Sequence, residues 1–77
     1  MNISYSKPAI KAIGHIDSPM KQRIKAAIEN LPDGDVKKLK GFTVAYRLRV
    51  GDYRVLFDMD TDITITNILP RGDAYKK

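Results

Sequence analysis

The stretch VAYRLRVGDYRVLFDM, residues 44–59, decides how this chain folds. At its centre, Gly51-Asp52 is a Gly-first pair of the kind that closes a two-residue β-hairpin turn. Strands are expected on either side, Val44–Val50 and Tyr53–Met59. The turn sets their register, opposing 50 to 53, 49 to 54, 48 to 55 and 46 to 57. One face then carries Val44, Tyr46, Leu48, Val50, Tyr53, Val55, Phe57 and Met59, all apolar or aromatic, and is the expected core face. Ala45, Arg47, Arg49, Arg54, Leu56 and Asp58 fall on the other. Arg49 and Arg54 are therefore opposed with Cβ atoms about 5 Å apart, and Arg47 lies about 7 Å along from Arg49. Like charges so placed destabilise a sheet by a few tenths of a kcal/mol up to about 1. Asp58, the one carboxylate on this face, sits opposite Ala45, with Leu56 between it and Arg54.

Downstream, Asp60-Thr61-Asp62 leads into a third strand over Ile63 to Leu69. A three-residue loop sets Ile63 against Met59 and Ile65 against Phe57, both in the core. Carried further, that register would bury Asn67 and expose Ile68, so a bulge is expected near Thr66. Upstream, Ile3 and Tyr5 alternate with polar neighbours as a short first strand. Ser6-Lys7-Pro8 opens a helix whose Ala9, Ala12, Ile13 and Ile16 share a face, with Gly14 weakening its end. A second helix follows Asp17-Ser18-Pro19, with Ser18 read as its cap and Pro19 as its first helical residue. Met20, Ile24, Ala27, Ile28 and Leu31 make an amphipathic stripe, which Pro32-Asp33-Gly34-Asp35 terminates. The expected architecture is α+β: a short N-terminal strand, then a two-helix hairpin packed on a mainly antiparallel sheet that ends in a three-strand meander. At 77 residues one domain is expected, spanning 1–77.

Composition narrows the function. So short a chain buries only roughly 60% of its unfolded surface, and without cysteine it has no disulfide or thiolate metal site to reinforce the core. Lack of cysteine fits a reducing compartment. No apolar run is long enough to cross a membrane, and MNISYSKPAI lacks the layout of a signal peptide, so the cytoplasm is the expected location. The net charge of +5 points to an anionic partner, nucleic acid first. Residues 36 to 54 hold Lys37, Lys38, Lys40, Arg47, Arg49 and Arg54 against Asp52 alone, a surplus equal to the whole net charge. Runs of charge are usually solvated faces, but arginines converging without a balancing acid favour an anion site. Guanidinium forks match phosphate oxygens bidentately. Lys37, Lys38 and Lys40 extend that footprint along a nucleic-acid backbone.

These residues carry a resemblance. KLKG, then YRLRVGDYRVLFD, an isoleucine-rich strand and PRGDAYK closely resemble the RelE/ParE superfamily, the toxic halves of bacterial type II toxin–antitoxin pairs. The resemblance covers nearly the whole chain and is strongest from Lys38 to Tyr75. It implies one of two activities. The RelE branch cuts messenger RNA in the ribosomal A site, the ribose 2′-hydroxyl attacking the adjacent phosphate. The ParE branch poisons DNA gyrase without cleavage, and an inactive relic that only binds antitoxin is a third reading. By position, RelE-type site residues fall on Arg47, Arg49, Arg54, Arg71 and Tyr75, and this agreement with the hairpin register favours the RelE branch. The resemblance further implies a metal-independent and cofactor-free endoribonuclease. Its partners would be a cognate antitoxin, the ribosome and mRNA, with no membrane and with operator DNA only through the antitoxin complex.

Roles follow from chemistry. Arg54 and Arg71 are expected to stabilise the phosphorane-like transition state. Tyr75 is expected to stack on a base or assist proton transfer, for which a phenol near pKa 10 needs help. Some relatives have lysine where Arg47 and Arg49 stand, and arginine effectively never loses its proton. General-base chemistry is therefore not assigned to either, and Lys40 is the weak candidate for a proton role. Only Lys76 and Lys77 follow Tyr75, where some relatives have a further helix. His15 reads as a helix-end residue. Asp58, Asp60 and Asp62 lack the glycine and glutamate of a calcium loop, at Ile63 and Leu69. The tripeptide Arg71-Gly72-Asp73 is a coincidence with an integrin motif.

Overall fold

In a computed structural model the chain is described over residues 2–39 and 45–70. The elements run β1 (Ile3–Tyr5), α1 (Lys7–Gly14), α2 (Ser18–Glu29), β2 (Val36–Lys38), β3 (Ala45–Val50), β4 (Tyr53–Met59) and β5 (Ile63–Pro70). They build a five-strand sheet ordered β1-β5-β4-β3-β2. β1 is parallel to β5, and every other pairing is antiparallel. Lys40, Val44, Arg71 and Tyr75, all singled out in the sequence, lie outside the described residues.

The β3–β4 hairpin has the register its turn dictates, Val50 against Tyr53, Arg49 against Arg54 and Tyr46 against Phe57. Gly51 takes φ +58°, the left-handed position that a two-residue turn needs and that other L-residues resist. Ile63 faces Met59 and Ile65 faces Phe57, and the ladder then shifts, so that Leu56 faces Asn67 and Val55 faces Ile68. Thr66 is the extra residue. It returns Ile68 to the core at 3% exposure and leaves Asn67 on the opposite face. The bulge is held by side chains. Thr66 Oγ1 donates to the Leu56 carbonyl at 3.0 Å, and Ser6 Oγ donates to the Thr66 carbonyl at 2.8 Å. Ser6 also caps α1, accepting from the Ala9 N–H at 3.3 Å.

Both helices lie on one side of the sheet. Ala9 and Ile16 from the α1 region and Ile24, Ile28 and Leu31 from the α2 region join Leu48, Val50, Val55, Phe57, Ile63, Ile65 and Ile68 in one buried cluster. Tyr46 stacks on Phe57 with ring centroids 5.6 Å apart, at the cluster's margin. Two details differ from the sequence reading. The cap of α2 is Asp17, not Ser18: Asp17 is extended, its carbonyl accepts the first helical bond from Lys21 at 2.8 Å, and Ser18 is already helical. The meander also has a fourth strand, β2, pairing Val36 with Leu48, Lys37 with Arg47 and Lys38 with Tyr46. Backbone hydrogen bonds to the free edge of β3 make a strand of three residues that show no alternating pattern themselves.

Candidate nucleic-acid interface

The face away from the helices is laid out in rows by the register. One row is Ser4, Thr64, Asp58 and Ala45. The next is Asn67, Leu56, Arg47 and Lys37, and beyond it lie Leu69, Arg54 and Arg49. Alternation along β3 and β4 puts these arginines on one side, while pairing with β2 adds Lys37. Positive charge therefore gathers over β2, β3 and the hairpin end of β4, and it thins toward β5.

The basic side chains are not equivalent. Arg49 and Lys37 are exposed. Arg54 is buried to 8% exposure although α1 and α2 both lie on the other side of the sheet. A guanidinium with little water around it keeps more of its attraction for an anion than one fully in solvent. Lys38 is placed elsewhere: opposite Tyr46, it belongs to the helix-side face at the sheet edge. Of the three lysines read as one footprint, Lys37 joins the arginines, Lys38 does not, and Lys40 lies outside the described residues along with Arg71 and Tyr75.

The arginines do have a balancing acid, contrary to the sequence expectation, and it comes from outside the hairpin. Arg47 Nη1 lies 3.3 Å from Asp35 Oδ1 and donates to the Asp35 carbonyl at 3.0 Å. The Arg49 backbone N–H donates to that same carbonyl at 3.0 Å. Glycine makes the approach possible. Gly34 takes φ +111°, and a Cβ there would meet Leu48 Cδ1 at 3.1 Å. The Arg47 side chain is 12% exposed and that of Asp35 56%, so the ion pair contributes at most about 1 kcal/mol to stability. Sequence reasoning read Asp35 only as part of the turn that ends α2 and missed its contact with Arg47; the signal was a carboxylate directly after a turn glycine.

Around this corner a cleft of about 460 Å³ opens between α2 and the hairpin end, with Arg23, Asn30, Asp35 and Arg49 on its walls and Leu48 behind them. Among the described residues no three of His, Asp and Glu gather to hold a metal ion, and no helix is long and apolar enough to cross a membrane.

A mixed sheet in this strand order, a helix pair on one side and rows of basic residues on the other define a RelE/ParE-type fold. No family model matches the chain. Toxin RelE3 of Methanocaldococcus jannaschii is 31% identical over 84 residues, spanning 97% of this chain and 96% of that one. A chain of the RelB–RelE antitoxin–toxin complex from Methanococcus jannaschii superposes with a TM-score of 0.78 at 31% identity, over 92% of this chain and 93% of that one. The archaeal RelE–RelB complex from Pyrococcus horikoshii OT3 gives 0.74 at 30% identity, over 94% and 96%. The chain belongs to the RelE toxin family.

Proposed function

We propose that this chain is the toxin of a type II toxin–antitoxin pair and that it cuts mRNA on the ribosome, residues 1–77 acting as one domain in the cytoplasm. The reading is carried by the gathering of Arg47, Arg49, Arg54 and Lys37 on one face of the sheet, where guanidinium forks match phosphate oxygens. In the reaction the ribose 2′-oxygen bonds to the adjacent phosphorus and the bond to the 5′-oxygen breaks. The 2′-hydroxyl proton leaves and the 5′-oxygen gains one, giving a cyclic phosphate and a 5′-hydroxyl. Negative charge builds on the phosphorane, where Arg54 and Arg71 stabilise it. Arg49, exposed beside Arg54, takes the incoming phosphate, and Arg47 and Lys37 hold the neighbouring backbone. Tyr75 stacks on a base or assists the proton transfer, with Lys40 the other group for that role. Neither metal nor cofactor enters these steps.

The partner is an acidic antitoxin, partly disordered when free, that folds over the basic groove. The toxin meets operator DNA only through that complex. The test is induction of the chain in growing cells, with primer extension on translated messages. Codon-phased cuts that disappear with Arg54→Ala are expected. Growth arrest with intact mRNA and accumulating broken DNA would move the assignment to gyrase inhibition, and absence of toxicity would make the chain a relic.

A further inference from the structure

Asp35 sits at the N-terminal side of β2, where the chain turns through Gly34 toward the free edge of β3. Its carbonyl accepts from the Arg49 N–H and from Arg47 Nη1, both at 3.0 Å, and its carboxylate lies 3.3 Å from that same nitrogen. One residue thus meets two of the basic positions on the open face, one through side chain and one through backbone. One hydrogen bond and one ion pair on a single nitrogen do more than balance charge. They tether one corner of a planar fork and so narrow the orientations it can take. Most of the Arg47 side chain is already buried, which removes the alternative orientations a surface arginine would sample.

We propose that Asp35 is a positioning residue. It holds the Arg47 guanidinium through Nη1 and leaves the rest of the fork for the RNA backbone. It also lowers the charge that Arg47 presents, so that binding is weaker but aligned. The assignment rests on the RNA-cleaving reading above.

The fold makes the experiment clean, because two of the three contacts are to the Asp35 main chain and survive side-chain substitution. Asp35→Ala removes the carboxylate and leaves Nη1 held by the main-chain carbonyl alone. Asp35→Asn removes the charge but keeps an oxygen where Oδ1 stands. Cleavage of ribosome-bound mRNA is measured under single turnover, and binding of a non-cleavable 2′-O-methyl RNA oligonucleotide is titrated against salt. For Asp35→Ala the cleavage rate should fall about tenfold, as expected for a small misplacement of a binding group. Its RNA binding should tighten at low salt, with a salt slope steeper by about 0.7, the value for one further phosphate contact on a single strand. Asp35→Asn should keep its cleavage rate within about threefold of wild type while showing the steeper slope.

An unchanged rate and slope in Asp35→Ala would overturn the proposal. So would loss of rate with weaker binding and a lowered melting temperature, the pattern of a merely structural residue. Wild-type protein that leaves ribosome-bound mRNA intact would refute the reaction proposed above. The oligonucleotide titration needs no cleavage and would still decide on Asp35, an unchanged slope counting against it.

Discussion

Arg49 and Arg54 are direct cross-strand partners on the face away from α1 and α2, yet one is exposed and the other is buried to 8%. Different consequences follow for the two. Arg49→Ala should weaken RNA binding and lower the salt slope by about 0.7. Arg54→Ala should cost roughly 100-fold or more in cleavage rate, the usual effect of removing a charge-stabilising donor. Oligonucleotide titrations and single-turnover cleavage on ribosomes, run on both variants, read the difference.

Gly34 holds φ +111° and packs against Leu48, a fully buried residue of the core. Gly34→Ala forces the loop to move and should cost about 1–3 kcal/mol. In a chain of this size each kcal/mol lowers Tm by roughly 4–8 °C. Calorimetry gives the loss. Gly14, a helical residue around which a Cβ meets nothing within 4 Å, is the control, and Gly14→Ala should hold or raise Tm.

The bulge at Thr66 depends on two hydroxyls. Thr66→Val leaves the Leu56 carbonyl without the side-chain donor it has at 3.0 Å, and should cost about 1–3 kcal/mol. Ser6→Ala removes both the helix cap and the donor to the Thr66 carbonyl, with an expected loss of about 1–2 kcal/mol. Because both changes act on one network, their effects in the double variant should fall short of additivity. Urea denaturation of the four proteins tests this.

Burial, and secondarily the charge of Glu29, raises the Tyr5 phenol above its ordinary 10.0. The folded chain thus holds this proton more tightly than the unfolded chain. The resulting stability is fully present below pH 10 and is lost as pH rises through the folded value. Relative to Tyr5→Phe, wild type should be level from pH 7 to 9 and fall behind above pH 10. Denaturation midpoints of the pair across that range give the sign.

Much of this arrangement is written locally in the chain. A two-residue turn at Gly51 allows one register, so the Arg49–Arg54 pairing is readable from residues a few positions apart. The bulge is readable too, because Asn67 and Ile68 sit on the wrong faces without it. What could not be read depends on distance along the chain. Val36–Lys38 is a strand only because the edge of β3 lies beside it. Asp35 reaches Arg47 twelve residues away through a bend at Gly34, just outside the window in which the charges were summed. Alternation puts Arg54 on the open face but carries no information about how deeply it is buried there. The remaining candidate residues, Lys40, Arg71 and Tyr75, fall outside the described residues; Lys40 stands on the local charge surplus, Arg71 and Tyr75 on the resemblance alone.

Primer extension on one defined mRNA in a purified translation mixture is the most direct test of RNA cleavage by this basic face. Adding wild-type protein should give codon-phased cuts with 5′-hydroxyl ends that require ribosomes and are missing with Arg54→Ala. Intact mRNA under those conditions, alongside inhibited supercoiling when the same protein is added to gyrase, would contradict it.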